Sequence, residues 1–245
     1  MRKDRSMRLK KHMKCDFMSF TGAVRSENQD GILINNDVKA YGKANFTGSI
    51  EYDLDNVWHL FAVADGAGGL NYGYECSSTL LKSLNKMYRD MLSLEGREPL
   101  ELLTKDALEN ASKEIQEIIG EGEGATTISL LWINPKKKKV FYFNMGDSPI
   151  WLYRKGKCYD IYEKHADGNI LKQYVGKSIE GNGNFGELKL KRNDVFLIAS
   201  DGIFALNEEG RQQFIASEDD YESLAEQVVN SICKDNVSFL KIRMI

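Results

Sequence analysis

Four short stretches of this chain place an aspartate beside a glycine or an asparagine. They read Phe61-Ala-Val-Ala-Asp65-Gly66, Asn144-Met-Gly146-Asp147-Ser148, Phe196-Leu-Ile-Ala-Ser-Asp201-Gly202 and Lys234-Asp235-Asn236. Three of the four follow or include the end of an apolar run. An acid at the end of a buried strand is costly unless it meets a cation. Brought together, such strand ends would form a cluster of negative charge, and an all-oxygen donor set suits a hard divalent ion. A single Asp-Gly pair is an ordinary turn signal. Two copies after apolar strands, joined by Gly146-Asp147 and Asp235-Asn236, argue against independent turns. At Gly66 the missing side chain would let a backbone carbonyl approach a cation. Nearer the N-terminus, Gly22-Ala-Val-Arg25-Ser-Glu-Asn28-Gln29-Asp30 sets an arginine just past a strand, with an acid following it. Arginine forks onto phosphate. Alone it would be a surface ion pair; beside an acidic metal cluster, Arg25 is a candidate phosphate clamp.

The elements that must carry these residues are legible in the hydrophobic pattern. Val57–Ala64 and Val195–Ala199 are nearly continuous apolar runs, the mark of central strands covered on both faces. Further strands are expected at about Cys15–Thr21, Gly31–Asn35, Ala125–Ile133, Lys139–Met145, Ile150–Arg154, Cys158–Tyr162, Glu187–Lys191 and Val237–Arg243. Asn134-Pro135-Lys136-Lys137 and Arg154-Lys-Gly156-Lys are turn sequences. Connections this short make antiparallel hairpins. Gly73–Leu92 carries Cys76, Leu80, Leu84, Tyr88 and Met91 on one helical stripe. Pro99–Ile119 carries Leu100, Leu103, Ala107, Ala111, Ile115 and Ile118 on another, with Gly120 as terminator. A third helix is expected at about Tyr221–Cys233. Strands and helices alternate in blocks, which argues for antiparallel sheets with helices packed outside them.

Composition narrows the function classes. At 245 residues the chain can bury a full core, and with 42% hydrophobic and 28% charged residues it reads as globular. A net charge of −3 gives no global attraction to nucleic acid, so a phosphate site must be local. The absence of an 18-residue apolar run excludes a membrane-spanning helix. Met1–Lys14 is basic. The readings open for it are a solvated tail, a start at Met13 and a basic contact arm, in that order. Cys15, Cys76, Cys158 and Cys233 lie far apart and suggest neither zinc nor disulfides; reduced thiols in the cytoplasm are expected. Lys136–Lys139 reads as a solvated turn. Gly181-Asn-Gly183-Asn-Phe-Gly186 fits a dinucleotide fingerprint, but an expected strand, not a helix, follows it. His59 sits in a buried-strand pattern, which suits a core or hydrogen-bonded residue, and His165 lies in a loop beside the short segment before Gly176, where substrate contact is the lesser reading.

In their order, these motifs resemble the metal-dependent serine/threonine protein phosphatases, the PPM or protein phosphatase 2C-like family, in its compact bacterial form. The matching pieces are Val24-Arg25-x-x-Asn28-Gln29-Asp30, Ala64-Asp65-Gly66-Ala-Gly68-Gly69, Gly124-Ala-Thr126-Thr127, Asn144-x-Gly146-Asp147-Ser148, Ala199-Ser200-Asp201-Gly202 and Asp235-Asn236-Val237-Ser238. The resemblance implies an α+β fold, a four-layer α-β-β-α sandwich of two antiparallel β-sheets flanked by helices. It implies a tail over residues 1–13 and one phosphatase domain over 14–245. It implies Mn²⁺ or Mg²⁺, two ions or three, with Asp65 bridging two of them and the Gly66 carbonyl on one. Asp201 and Asp235 would hold the other, Asp147 a third, weaker site. Arg25 would bind the substrate phosphate and Asp30 a water at the metals, and metal-activated water would hydrolyse phosphoserine and phosphothreonine in proteins. The implied partners are phosphorylated proteins and a cognate serine/threonine kinase, for a cytoplasmic monomer with no nucleic acid or membrane partner. A non-catalytic phosphoprotein-binding module and a phosphatase of small esters are the alternatives; the presence of Asp65, Asp201 and Asp235 favours catalysis. Ala67 stands where some members carry histidine, and Pro149 where the family usually has arginine. His165–Gly176 is short where many members insert a flap.

Overall fold

The computed structural model describes residues 12–42, 44–55, 57–67, 71–93, 99–217 and 233–245. Two six-stranded antiparallel sheets form its centre. The first runs β10 (Lys157–Asp160), β9 (Ile150–Arg154), β16 (Val195–Ala199), β17 (Val237–Met244), β1 (His12–Phe20) and β4 (Phe46–Asp53). The second runs β15 (Asn184–Lys189), β8 (Lys139–Met145), β7 (Ile128–Asn134), β5 (His59–Asp65), β2 (Asp30–Ile34) and β3 (Asp37–Lys39). Small satellites complete the strands: β6 (Ala125–Thr126) with β13 (Tyr174–Gly176) and β14 (Ile179–Glu180), and the hairpin of β11 (Ala166–Asp167) and β12 (Ile170–Leu171). The helices are α1 (Gly73–Ser93), α2 (Leu100–Ile119) and α3 (Glu208–Ala216), with a 3-10 turn at Asp201–Ala205.

The period-2 alternation of each strand builds the layers. On β5, Phe61 and Val63 face the other sheet and meet Phe196, Leu240 and Ile242 there. Leu60, Ala62 and Ala64 face the other way, onto Leu80, Leu84, Leu108 and Ile115 of α1 and α2. The outer face of the first sheet carries Leu197 and Phe239 onto Phe214 and Ile215 of α3. The order is therefore helices, sheet, sheet, helix, the sandwich that the sequence led us to expect.

The short strands β11 to β14 and the 3-10 turn were not anticipated, and neither were β4, β3 and α3. β4 is an edge strand, half-buried and exposed in strict alternation, and Gly48 within it weakens the strand signal. The gap is used: a Cβ at Gly48 would stand 2.2 Å from the Phe17 ring. β3 has only three residues. α3 is capped by Asn207, whose side chain accepts from Gly210 N at 2.8 Å. The helix expected over Tyr221–Cys233 falls outside the described residues except for Cys233, which is buried and not helical. β1 begins at His12, so the strand takes in the last two residues assigned to the tail. The glycine fingerprint at residues 181–186 runs into β15, as its context required.

Candidate metal centre

All the strands that end in the acids point the same way, toward one end of the sandwich. β5 delivers Asp65, β8 leads to Asp147, β16 leads to Asp201, and Asp235 stands just before β17. Asp30 opens β2 and faces Asp65 across the ladder. Asp65, Asp147, Asp201 and Asp235 line a single open cleft of about 780 Å³ together with Arg25. Its other walls include Thr127, Tyr174, Lys177 and the tip of the β11–β12 hairpin. Six of the seven predicted site residues thus lie at the cleft or directly beneath it. The seventh, Gly66, follows Asp65 and is buried.

The glycines next to the acids work mainly through packing. A Cβ at Gly66 would meet the Gly73 carbonyl oxygen at 2.3 Å, and a Cβ at Gly202 the Asn236 carbonyl oxygen at 2.0 Å. Each glycine allows two backbones to touch, so that α1 starts against Asp65-Gly66 and β17 starts against Asp201-Gly202. The sequence argument for Gly66, close approach of a cation, gave a different reason for the same residue.

Hydroxyl and amide side chains fix the acids from behind. Asp65 N donates to Thr127 Oγ1 at 3.2 Å, and Thr126 Oγ1 donates to the Asp65 carbonyl at 3.0 Å. Thr127 and Ser148 share a hydrogen bond of 2.6 Å, which ties the Asp65 strand end to the Asp147 loop. His165 holds that loop too. Its Nδ1 accepts from Gly146 N at 3.3 Å and its backbone N donates to Gly146 O at 2.9 Å. This makes His165 a positioning residue for Asp147, a role its place in a loop did not signal.

Asp30 sits in a closed polar ring that spans both sheets. Ser200 Oγ donates to Asp30 Oδ2 at 2.7 Å and receives Ser238 N at 2.9 Å. Ser238 Oγ bonds Ser19 Oγ at 2.8 Å, Asn28 Nδ2 donates to Ser19 Oγ at 2.8 Å, and Asp30 N donates to Asn28 Oδ1 at 3.1 Å. Among the described residues, Asp30 Oδ1 has no hydrogen-bond partner although it is buried. A buried carboxylate oxygen left this way costs free energy unless a ligand completes it. The sequence carried a signal for the ring: Ser19 and Ser238 are polar residues in apolar strands at facing register positions.

The electrostatics match a site built for cations. Burial first, and then the neighbouring acids Asp30 and Asp201, push Asp65 well above the ordinary carboxylate range. Burial pushes Asp30 up to about 7 against the bonds from Ser200 and Ser238. Asp201, on the open side of the cleft, is pushed up to about 6 by desolvation and then by Asp147 and Asp235. Desolvation raises Asp147 as well. Four groups shifted this way repel one another, and a divalent ion would relieve them together.

Arg25 departs from the sequence expectation. Its Nε and Nη2 donate to Asp235 Oδ1 and Oδ2 at 2.8 and 2.7 Å, a two-point fork. The pair is partly exposed, and this bond, more than the nearby Asp65 and Asp201, raises the guanidinium pKa. Among the described residues no three His, Cys, Asp or Glu side chains are already arranged as a metal-ligand set; Asp235 is turned onto Arg25. The donor chemistry, the orphaned Asp30 oxygen and the mutual repulsion of the acids fit hard cations nonetheless.

The model of the protein phosphatase 2C family matches residues 50–240. No curated protein matches the chain by sequence. Among solved structures, a serine/threonine phosphatase of Mycobacterium tuberculosis, PstP/Ppp, superposes with a TM-score of 0.75 at 17% identity, over 95% of this chain and 99% of that one. The S. agalactiae serine/threonine phosphatase gives 0.73 at 18% identity, over 95% and 100%. A PstP catalytic domain in complex with two manganese ions gives 0.73 at 19% identity, over 96% and 99%.

Proposed function

The chain belongs to the protein phosphatase 2C family, and from that premise we propose that it hydrolyses phosphoserine and phosphothreonine in proteins at a binuclear Mn²⁺ or Mg²⁺ site. The observation that carries this reading is the meeting of Asp65, Asp147, Asp201 and Asp235 with Arg25 in one cleft, above the unpartnered Asp30 oxygen. Asp65 and the Gly66 carbonyl would hold the ions with Asp201 and Asp235, and Asp147 would hold a third. Bound ions would supply the charge that lowers the pKa of water and offsets charge on the phosphoryl oxygens.

The residues of the chain supply the rest. Ser200 fixes Asp30 through Oδ2, which leaves Oδ1 free to accept a hydrogen bond from the attacking water. A carboxylate oxygen placed there can take that proton and return it. Arg25 would move from Asp235 to fork onto two phosphoryl oxygens, stabilising charge as the phosphoryl group transfers. Ala67 offers no proton donor for the leaving oxygen, so water protonates it. The reading carries with it substrates made by a serine/threonine kinase and action as a cytoplasmic monomer. A related structure with two manganese ions supports the choice of metal. The test is phosphate release from a phosphothreonine peptide by Asp65→Ala and Asp201→Asn at saturating Mn²⁺. Both variants are expected to fold and to lose turnover; a near-normal rate in either would overturn the site.

A further inference from the structure

We propose that the end of the sandwich opposite the acidic cleft docks on an anionic lipid surface. The fold gathers three turns there that are far apart in sequence. The β7–β8 turn presents Lys136 to Lys139, all exposed. Lys139 faces Lys189 across the ladder, and Leu190 N donates to Lys138 O at 2.9 Å, so the β15–β16 turn with Lys191 and Arg192 lies alongside. Tyr153 pairs with Val195, which sets the β9–β10 turn, with Lys155 and Lys157, beside the start of β16. Residues 134–139, 154–157 and 189–194 carry ten Lys or Arg and one acid, in a chain whose total charge is −3. That acid, Asp194, is fully buried and forked onto Arg154 at 2.7 and 2.7 Å, so it offers little repulsion outward; exposed Asp55, beside the β7–β8 turn, lies 3.2 Å from His59 Nε2. One outer cation, Lys139, is paired with Glu187 at 2.7 Å.

Lipid suits this surface better than nucleic acid does. Its charges are mostly lysines, point charges that follow a diffuse headgroup field, and Arg154 is engaged within the protein; readers of base edges rely on bidentate side chains such as arginine. Apolar and aromatic groups lie among the lysines. Lys136 N donates to Asp55 O, which brings the turn against Val57, 37% exposed, and half-buried Trp58, whose ring has Lys137 Nζ 5.9 Å from its centroid. Tryptophan flanked by lysine is an interfacial combination. β8 runs from this end to the acids, about 20 Å away at strand rise, so a docked molecule would turn its cleft to the solvent. No helix among the described residues is long and apolar enough to cross a membrane; the contact is peripheral. The expectation of no membrane partner rested on the missing apolar span, which is blind to where charges gather.

The test is co-sedimentation of the full chain with phosphatidylcholine vesicles, alone or with about a third phosphatidylglycerol, at about 0.1 M salt. Binding is expected to the anionic vesicles alone and to fail at high salt. Each charge removed should lower partitioning about fivefold, so Lys136→Gln/Lys137→Gln/Lys138→Gln should lose about a hundredfold. Lys191→Gln/Arg192→Gln, on a different turn, should lose about twenty-fivefold by the same rule. Both should keep the wild-type melting temperature and phosphopeptide turnover. Equal binding to neutral vesicles, or unchanged binding in both variants, would overturn the proposal. So would single-stranded RNA that strips the chain from anionic vesicles at the same salt.

Discussion

Asp30→Asn offers the sharpest test of the electrostatics. The carboxyl is buried, faces Asp65 and sits at about 7, whereas an unfolded aspartate titrates near 3.9. A raised folded pKa means that the native state binds an extra proton between those values. Its stabilisation is full below the unfolded pKa and is lost as pH rises through 7. Between pH 5 and pH 8 this one group should cost the metal-free wild type about 3 kcal/mol. Asp201 adds a smaller loss in the same direction, screened because the residue is exposed. Asparagine removes the titration. Its amide oxygen can receive Ser200, and its nitrogen then takes the unpartnered position at a fixed cost of about 1–3 kcal/mol at any pH. The readout is therefore the slope, not the absolute stability. Urea unfolding in chelator at pH 5 and pH 8 should show wild type losing stability with pH and the variant losing about 3 kcal/mol less, or about 6–12 °C of melting temperature. Equal slopes in the two proteins, or wild-type stability that rises with pH, would refute the reasoning.

Two further outcomes follow from the cleft. Arg25→Ala should lower kcat/KM by about ten- to a hundredfold, the worth of a charge-assisted bond to phosphate of about 1.5–3 kcal/mol. Because Arg25 also forks onto Asp235, calorimetric Mn²⁺ affinity should rise, by about tenfold for about 1.4 kcal/mol of relieved competition; unchanged or weaker binding would make Arg25 a support for Asp235 instead. Across phosphopeptides that vary only in their flanks, kcat/KM should spread less than about a thousandfold, because the short β11–β12 hairpin covers little of the cleft. A wider spread would mean that its tip, where Ile170 is 65% exposed, reads sequence.

The sequence was most informative where one physical requirement dominates. Apolar runs ending in Asp65 and Asp201 must be central strands, and the structure places them there. The helical stripes of α1 and α2 were equally plain, since each buries one face on one sheet. What escaped was weakly patterned. β4 alternates but is broken by Gly48, and α3 rests on a single cap and a short apolar patch. Site residues that act by support were only faintly marked, for another reason. Ser19, Ser200 and Ser238 become a ring only when strands distant in sequence pair, and His165 reaches Gly146 only through a loop's path. The fork of Arg25 onto Asp235 joins residues 210 positions apart, so motif spacing could suggest either partner or phosphate but could not choose.

The central claim is that the acidic cleft is a metal-dependent phosphatase site. Its most direct test is phosphate release from a phosphothreonine peptide by exhaustively chelated protein, measured before and after Mn²⁺ or Mg²⁺ is returned. The account predicts no turnover without the metal and full recovery with it, while the chelated protein stays folded. Undiminished turnover by metal-free protein would contradict it.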